Sequence, residues 1–186
     1  MSSNAFLLVQ KYVVWNIGHW EPGGMFAETP LYKTWRLTFD FKPMFSPVSP
    51  DWESFIHFTD DLEGGVDQRV LGFWFIPHTL IPRLHYEMNG DGETYGTTNY
   101  FDFHDADIKM WQWNSFALSQ ERVQNGSFVL SVNINGKQFD DVINTRPRAY
   151  KSLQLHAGKH WEAVTGLLGH FELYTSTKNH RKFLSC

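Results

Sequence analysis

The chain has 186 residues, 42% of them hydrophobic and 19% charged, which suits one well-cored domain and is short for two. A net charge of −4 and a pI near 6.1 exclude the dense Lys and Arg with which proteins track phosphates, so nucleic acid is not an expected partner. No apolar run is long enough to cross a bilayer, so no membrane insertion is expected. The 17% aromatic content favours pleated, half-buried surfaces and leaves rings over for the exterior, where they can stack on a sugar or a partner. The opening Met1 to Gln10 lacks the basic start and small-residue cleavage site of a secretory leader. The expectation is a cytosolic chain, or one exported by another route, unless a leader has been removed. Cys186 is the lone cysteine, so no internal disulfide is possible, while a bridge between two copies stays open.

Period-two alternation runs through the chain. Trp35, Leu37, Phe39 and Phe41 point one way, and Thr34, Arg36, Thr38 and Asp40 the other. Residues 43–51 hold three prolines and two serines and form a loop. A strand pair should flank Asn89-Gly90-Asp91-Gly92, whose residues tolerate positive φ, and another should flank Asn135-Gly136. Between them, Phe128, Leu130, Val132 and Ile134 alternate with Ser131 and Asn133. Leu153 and Leu155 then alternate with Gln154 and His156, and Phe171 and Leu173 with His170, Glu172 and Tyr174. Helical spacing is not sustained anywhere. The pattern predicts an all-β fold of ten or eleven strands in two antiparallel sheets, with one outer face open to solvent. No linker, repeat or composition shift divides the chain, so residues 1–186 read as a single domain.

Several motifs occur in a telling order: Trp35 to Pro43, His57-Phe-Thr59, Asp67-Gln-Arg69, Gly72-Phe-Trp-Phe75 and Leu118-Ser-Gln-Glu121. They continue with Phe128 to Lys137, Asn144-Thr145, Trp161 and Gly166. In this order they resemble the concanavalin A-like lectin and glucanase superfamily, on its laminin-G and pentraxin-like branch. The resemblance implies a two-sheet antiparallel jelly-roll sandwich whose loops or concave face bind glycans or proteins, often with calcium. The segment His78 to Arg83, with Asn89, shares composition with the His-Asn-Pro-Arg core of a galectin, but its spacing differs and it lacks the asparagine.

Retaining glycosidases need two carboxylates about 5–5.5 Å apart, which the glucanases supply from a Glu-x-Asp-x-x-Glu run. The chain has no such run and no Gly-x-Ser-x-Gly elbow, so it reads as a non-enzyme. Calcium takes six to eight oxygens, and Asp60, Asp61, Glu63 and Asp67 around Gly64-Gly65 are the candidate metal ligands. Asp102, Asp105 and Asp107 form a second acidic stretch; turn-forming solubility is the competing reading for both. His156 and His160 lack a well-spaced third ligand for zinc.

Sugar hydroxyls take bidentate polar partners, and the apolar face of the ring takes an aromatic plate. The candidate ligand-binding residues are Arg69, His85, Glu87, Asn89, Asp91, Tyr95, Asn144 and Trp161, with ordinary solvated surface as the alternative for each. His85 and Glu87 share a strand face opposite Leu84 and Tyr86, and Arg69 opens the preceding strand. The expected function is therefore a non-catalytic carbohydrate-binding protein, calcium-assisted, with a glycan or glycoprotein partner. A protein-binding module of laminin-G type, homo-oligomeric through its open edges, is the first alternative. A glycan-active hydrolase or lyase is the second.

Overall fold

The computed structural model describes residues 5–10, 15–16, 25–44, 51–60, 69–87, 98–144, 147–156, 162–163 and 165–177. Every regular element among them is a strand, and no helix there is long and apolar enough to cross a membrane. The first eight are β1 (Ala5–Gln10), β2 (Trp15–Asn16), β3 (Met25–Leu31), β4 (Thr34–Pro43), β5 (Glu53–Thr59), β6 (Arg69–Phe75), β7 (Pro82–Glu87) and β8 (Thr98–Asp102). The rest are β9 (Asn114–Arg122), β10 (Phe128–Ile134), β11 (Lys137–Gln138), β12 (Val142–Asn144), β13 (Tyr150–His156), β14 (Glu162–Ala163) and β15 (Gly166–Ser176). The sequence anticipates ten or eleven. The excess is β2, β11, β12 and β14, each two or three residues long and too short to show a period.

Two sheets result. Sheet A runs β1-β15-β4-β9-β10-β11, with β2 also on β15 and β12 on β10. Sheet B runs β3-β13-β5-β6-β7-β8, with β14 also on β5. The ladders are antiparallel apart from the short parallel pairing of β14 with β5. The β10–β11 turn follows its residue types: Asn135 and Gly136 take φ of 52° and 81°, the doubly left-handed turn that suits strand twist.

The alternating apolar residues meet between the sheets. Leu37, Phe39 and Phe41 of β4 and Phe116 and Leu118 of β9 are fully buried, as are Leu153, Leu155, Phe171 and Leu173. Phe55 of β5 joins the layers: its ring lies 4.7 Å from Phe41, 4.9 Å from Phe75 and 5.5 Å from Phe73. Phe39 stacks on Phe116 at 4.8 Å with a 4° interplanar angle. Each such ring contributes about 1.5–3 kcal/mol by leaving water, and favourable ring pairs add to that.

The two outer faces differ. Sheet A alternates between buried and accessible along β10 and through most of β4 and β9, so its outer face is wet. Every residue of β5, central in sheet B, is buried, including the outward-pointing His57. The face open to solvent is therefore that of sheet A.

Candidate ligand-binding groove

The outer face of sheet A carries an open groove of about 430 Å³. Its floor follows from strand register. Asp40 of β4 pairs with Ser115 of β9 on one side and with Gly169 of β15 on the other. Thr38 pairs with Ala117 and Glu172 in the same way. The small side chains of Ser115 and Ala117 leave the trough, and Asn133 of β10 closes its far side.

A β-bulge supplies the chemistry on the near side. The register of β15 against β4 shifts between Gly169 and Glu172, so His170 and Phe171 together oppose Phe39. Phe171 keeps its place in the core, and the extra residue, His170, is turned outward at φ 47°. This left-handed value is unfavourable for a residue with a Cβ, and bulges characteristically redirect a side chain in this way. His170 Nδ1 lies 2.5 Å from Asp40 Oδ2, with the histidine largely exposed. Asp40, His170 and Glu172 thus line one concavity from two neighbouring strands.

An aromatic rim completes it. Trp113 directly precedes β9, yet its ring lies over Gly169 of β15, where an added Cβ would meet it at 3.4 Å. The indole therefore spans the width of β4 and stands, half exposed, over the cross-strand partner of Asp40. Asn114, fully buried, fixes the loop that presents it. Its Nδ2 donates to the carbonyls of Lys109 and Gln112, both at 2.9 Å, and its Oδ1 accepts from Lys109 N at 2.9 Å and Asn135 Nδ2 at 3.0 Å. Trp111 in the same loop is also exposed, and its backbone sits at φ 61° with its N–H donating to the Pro43 carbonyl at 2.9 Å.

The residues singled out in the sequence lie elsewhere. His85 is on the outer face of sheet B, half-buried, with its ring 4.7 Å from Trp74 and 6.0 Å from Tyr100. Glu87 ends the same strand and Arg69 begins β6; their backbones are described, their side chains are not. Asn89, Asp91, Tyr95 and Trp161 lie outside the described residues. Asn144 is 2% exposed, and its Nδ2 donates to Gln120 Oε1 at 2.9 Å, tying β12 to the sheet frame. Of the calcium candidates, Asp60 is described and half-buried, whereas Asp61, Glu63 and Asp67 lie outside the described residues. No group of three or more His, Cys, Asp or Glu able to hold a metal occurs among the described residues. In the second acidic stretch each carboxylate faces a cation: Asp102 takes Arg83 in a bidentate pair at 2.5 and 2.7 Å, Asp105 takes Lys137, and Asp107 takes Lys109. His78, from the galectin-like segment, is an exposed turn residue at φ 61°.

Around His85 the outer face of sheet B is filled by its own side chains. The Trp74 ring folds back over Gly72 and meets His57 and His85 edge-on, and it is 1% exposed. Arg83, paired with Asp102, lies between the rings of Trp52 and Tyr100, at 4.7 and 4.0 Å from their centroids. Tyr100 alone of these is largely open.

No protein-family model matches the chain, and no curated protein does. Solved structures do. It is similar to the heptameric SAP-like pentraxin of Limulus polyphemus at 11% identity, over 86% of this chain and 74% of that one, with a TM-score of 0.55. It is similar to the endo-β-1,4-glucuronan lyase of the fungus Trichoderma reesei at 9% identity, over 92% and 85% of the two chains, with a TM-score of 0.51. The binding domain of botulinum neurotoxin serotype D matches at 11% identity, over 95% of this chain and 40% of that one, with a TM-score of 0.51. The fold is a two-sheet antiparallel jelly-roll sandwich. At such identities the likeness extends to the fold and no further.

Proposed function

We propose that this chain is a non-catalytic carbohydrate-binding protein and that the saccharide occupies the outer groove of sheet A. One observation carries the reading: hydrogen-bonding groups of Thr38, Asp40, Ser115, Asn133, His170 and Glu172 line a single open concavity, and the Trp113 ring lies over Gly169, the cross-strand partner of Asp40. The indole offers an apolar surface for a sugar ring. Asp40 and Glu172 accept from hydroxyls, Asn133 accepts and donates, and the Ser115 and Thr38 hydroxyls do both. The wet outer face of sheet A is the surface on which an extended glycan has room to lie. The reading extends to a glycan or glycoprotein partner, to calcium at the Asp60 loop, and to self-association of the domain.

Glycan-array screening followed by calorimetric titration, with and without a calcium chelator, tests this. A Trp113→Ala variant that still melts like the parent should lose most of the affinity. Silence toward every glycan, chelated or not, would sink the reading. A chelator without effect would remove calcium from it, and a single sedimenting monomer would remove self-association.

The contact between Asp40 and His170 favours a second reading. A carboxylate holding an imidazole in an open groove is a possible acid–base pair, and Glu172 lies beside it. Release of shortened products from neutral and acidic polysaccharides, abolished by His170→Ala, would replace the first reading with this one.

A further inference from the structure

The groove carries a charge bias that bears on which glycans it accepts. Its lining contains two carboxylates, Asp40 and Glu172, and one imidazole, His170. His170 sits against Asp40, so a proton on its ring answers that carboxylate and leaves Glu172 with no cation inside the lining. The lining therefore carries one negative charge with the imidazole protonated and two with it neutral. The remaining groups, from Thr38, Ser115 and Asn133, are uncharged. Arg36 and Lys42 occupy the next outward positions of β4 on either side, outside the lining.

Resting on the carbohydrate-binding reading, we infer that the groove discriminates by charge: it takes neutral or amino saccharides and rejects uronate, sulfated and sialylated ones. In an open groove the surroundings are water-like. An anionic substituent about 6 Å from a carboxylate is then disfavoured about threefold, and one facing two carboxylates about tenfold. An ammonium group gains by similar factors. Neutral sugars keep the hydrogen bonds to both carboxylates without either effect. The discrimination weakens as salt is added, because the charges are solvent-exposed.

The test has two stages. An array of neutral, amino and acidic glycans identifies the backbone bound most tightly. Calorimetry then compares three charge forms of that backbone (the neutral parent, its amino derivative and its uronate) on the parent protein and on Glu172→Gln. The expected result is uronate binding three- to tenfold weaker than the neutral form, amine binding at least as tight, and a gap that shrinks in Glu172→Gln and in high salt. A uronate that binds as tightly as the neutral form, with Arg36 and Lys42 engaging it beyond the groove, overturns the inference and leaves the carbohydrate-binding reading standing. Absence of heat for every charge form overturns both.

Discussion

Gly72 is the position where the packing of sheet B can be measured against a single methyl group. A Cβ placed there would lie 2.1 Å from Cη2 and 2.4 Å from Cζ3 of Trp74, against about 3.4 Å for tolerable contact. The indole must retreat by roughly 1.3 Å to restore contact distance. It has little room to do so, because His57 and His85 meet it edge-on at 5.5 and 4.7 Å and the ring is 1% exposed. Overpacking of this kind costs about 1–3 kcal/mol, while removing a glycine from a strand returns about 0.5–1 kcal/mol. Gly72→Ala should therefore destabilise by about 1 kcal/mol, which lowers Tm by about 2–4 °C in a domain of this size. The discriminating measurement is a double-mutant cycle with Trp74→Leu, read by urea unfolding and far-ultraviolet circular dichroism. Once the ring is gone, the alanine should be neutral or mildly stabilising, which gives a coupling of about 1–2 kcal/mol. If Gly72→Ala costs the same with and without the ring, additive within about 0.5 kcal/mol, the ring is not what excludes the methyl and the reasoning fails.

Three further outcomes follow from the geometry. Asn114→Ala strips four short hydrogen bonds from a fully buried site and should cost about 1–3 kcal/mol; an unchanged urea midpoint would refute the role of Asn114 in holding the loop. At His170, the Gly variant relieves a left-handed residue of its Cβ and should melt at or above the Ala variant, while both lose whatever binding the imidazole supports. Equal melting of the two would argue against strain in the bulge. Burial raises the Tyr86 pKa above its ordinary 10.0. The folded state then holds its proton after the unfolded state has lost it, so stability is complete below pH 10.0 and falls as pH rises toward the folded value. Tyr86→Phe should reduce that alkaline loss in denaturant titrations at pH 9 to 11; identical slopes for the two proteins would contradict it.

The fold was legible because its signal is local. Alternation assigned the inward residues of β4, β10, β13 and β15, and the left-handed pair at Asn135-Gly136 marked a tight turn. The same alternation set Asp40, Asn133, His170 and Glu172 on the wet side of their strands. Parity, however, says which way a side chain points and not which strand lies next to it. Nothing local places β15 beside β4, so the meeting of Asp40 with His170 had no sequence signal. The bulge at His170 and the reach of Trp113 across β4 are likewise properties of the assembled sheet. His85 lies instead on the outer face of sheet B, whose centre is buried. Asn144, a polar residue at a strand end, donates to a neighbouring side chain, Gln120, that only tertiary structure supplies.

Asp40 and His170 stand 130 residues apart in sequence yet share one hydrogen bond. During synthesis β4 emerges early and its partner on that side, β15, emerges late. Until β15 docks, β4 keeps an unpaired edge and its flank of the groove does not exist. Closing so long a loop is among the slower events in folding, since its entropy must be met before the contacts repay it. The groove is thus completed late, and a nascent chain halted short of β15 lacks its His170 and Glu172 flank.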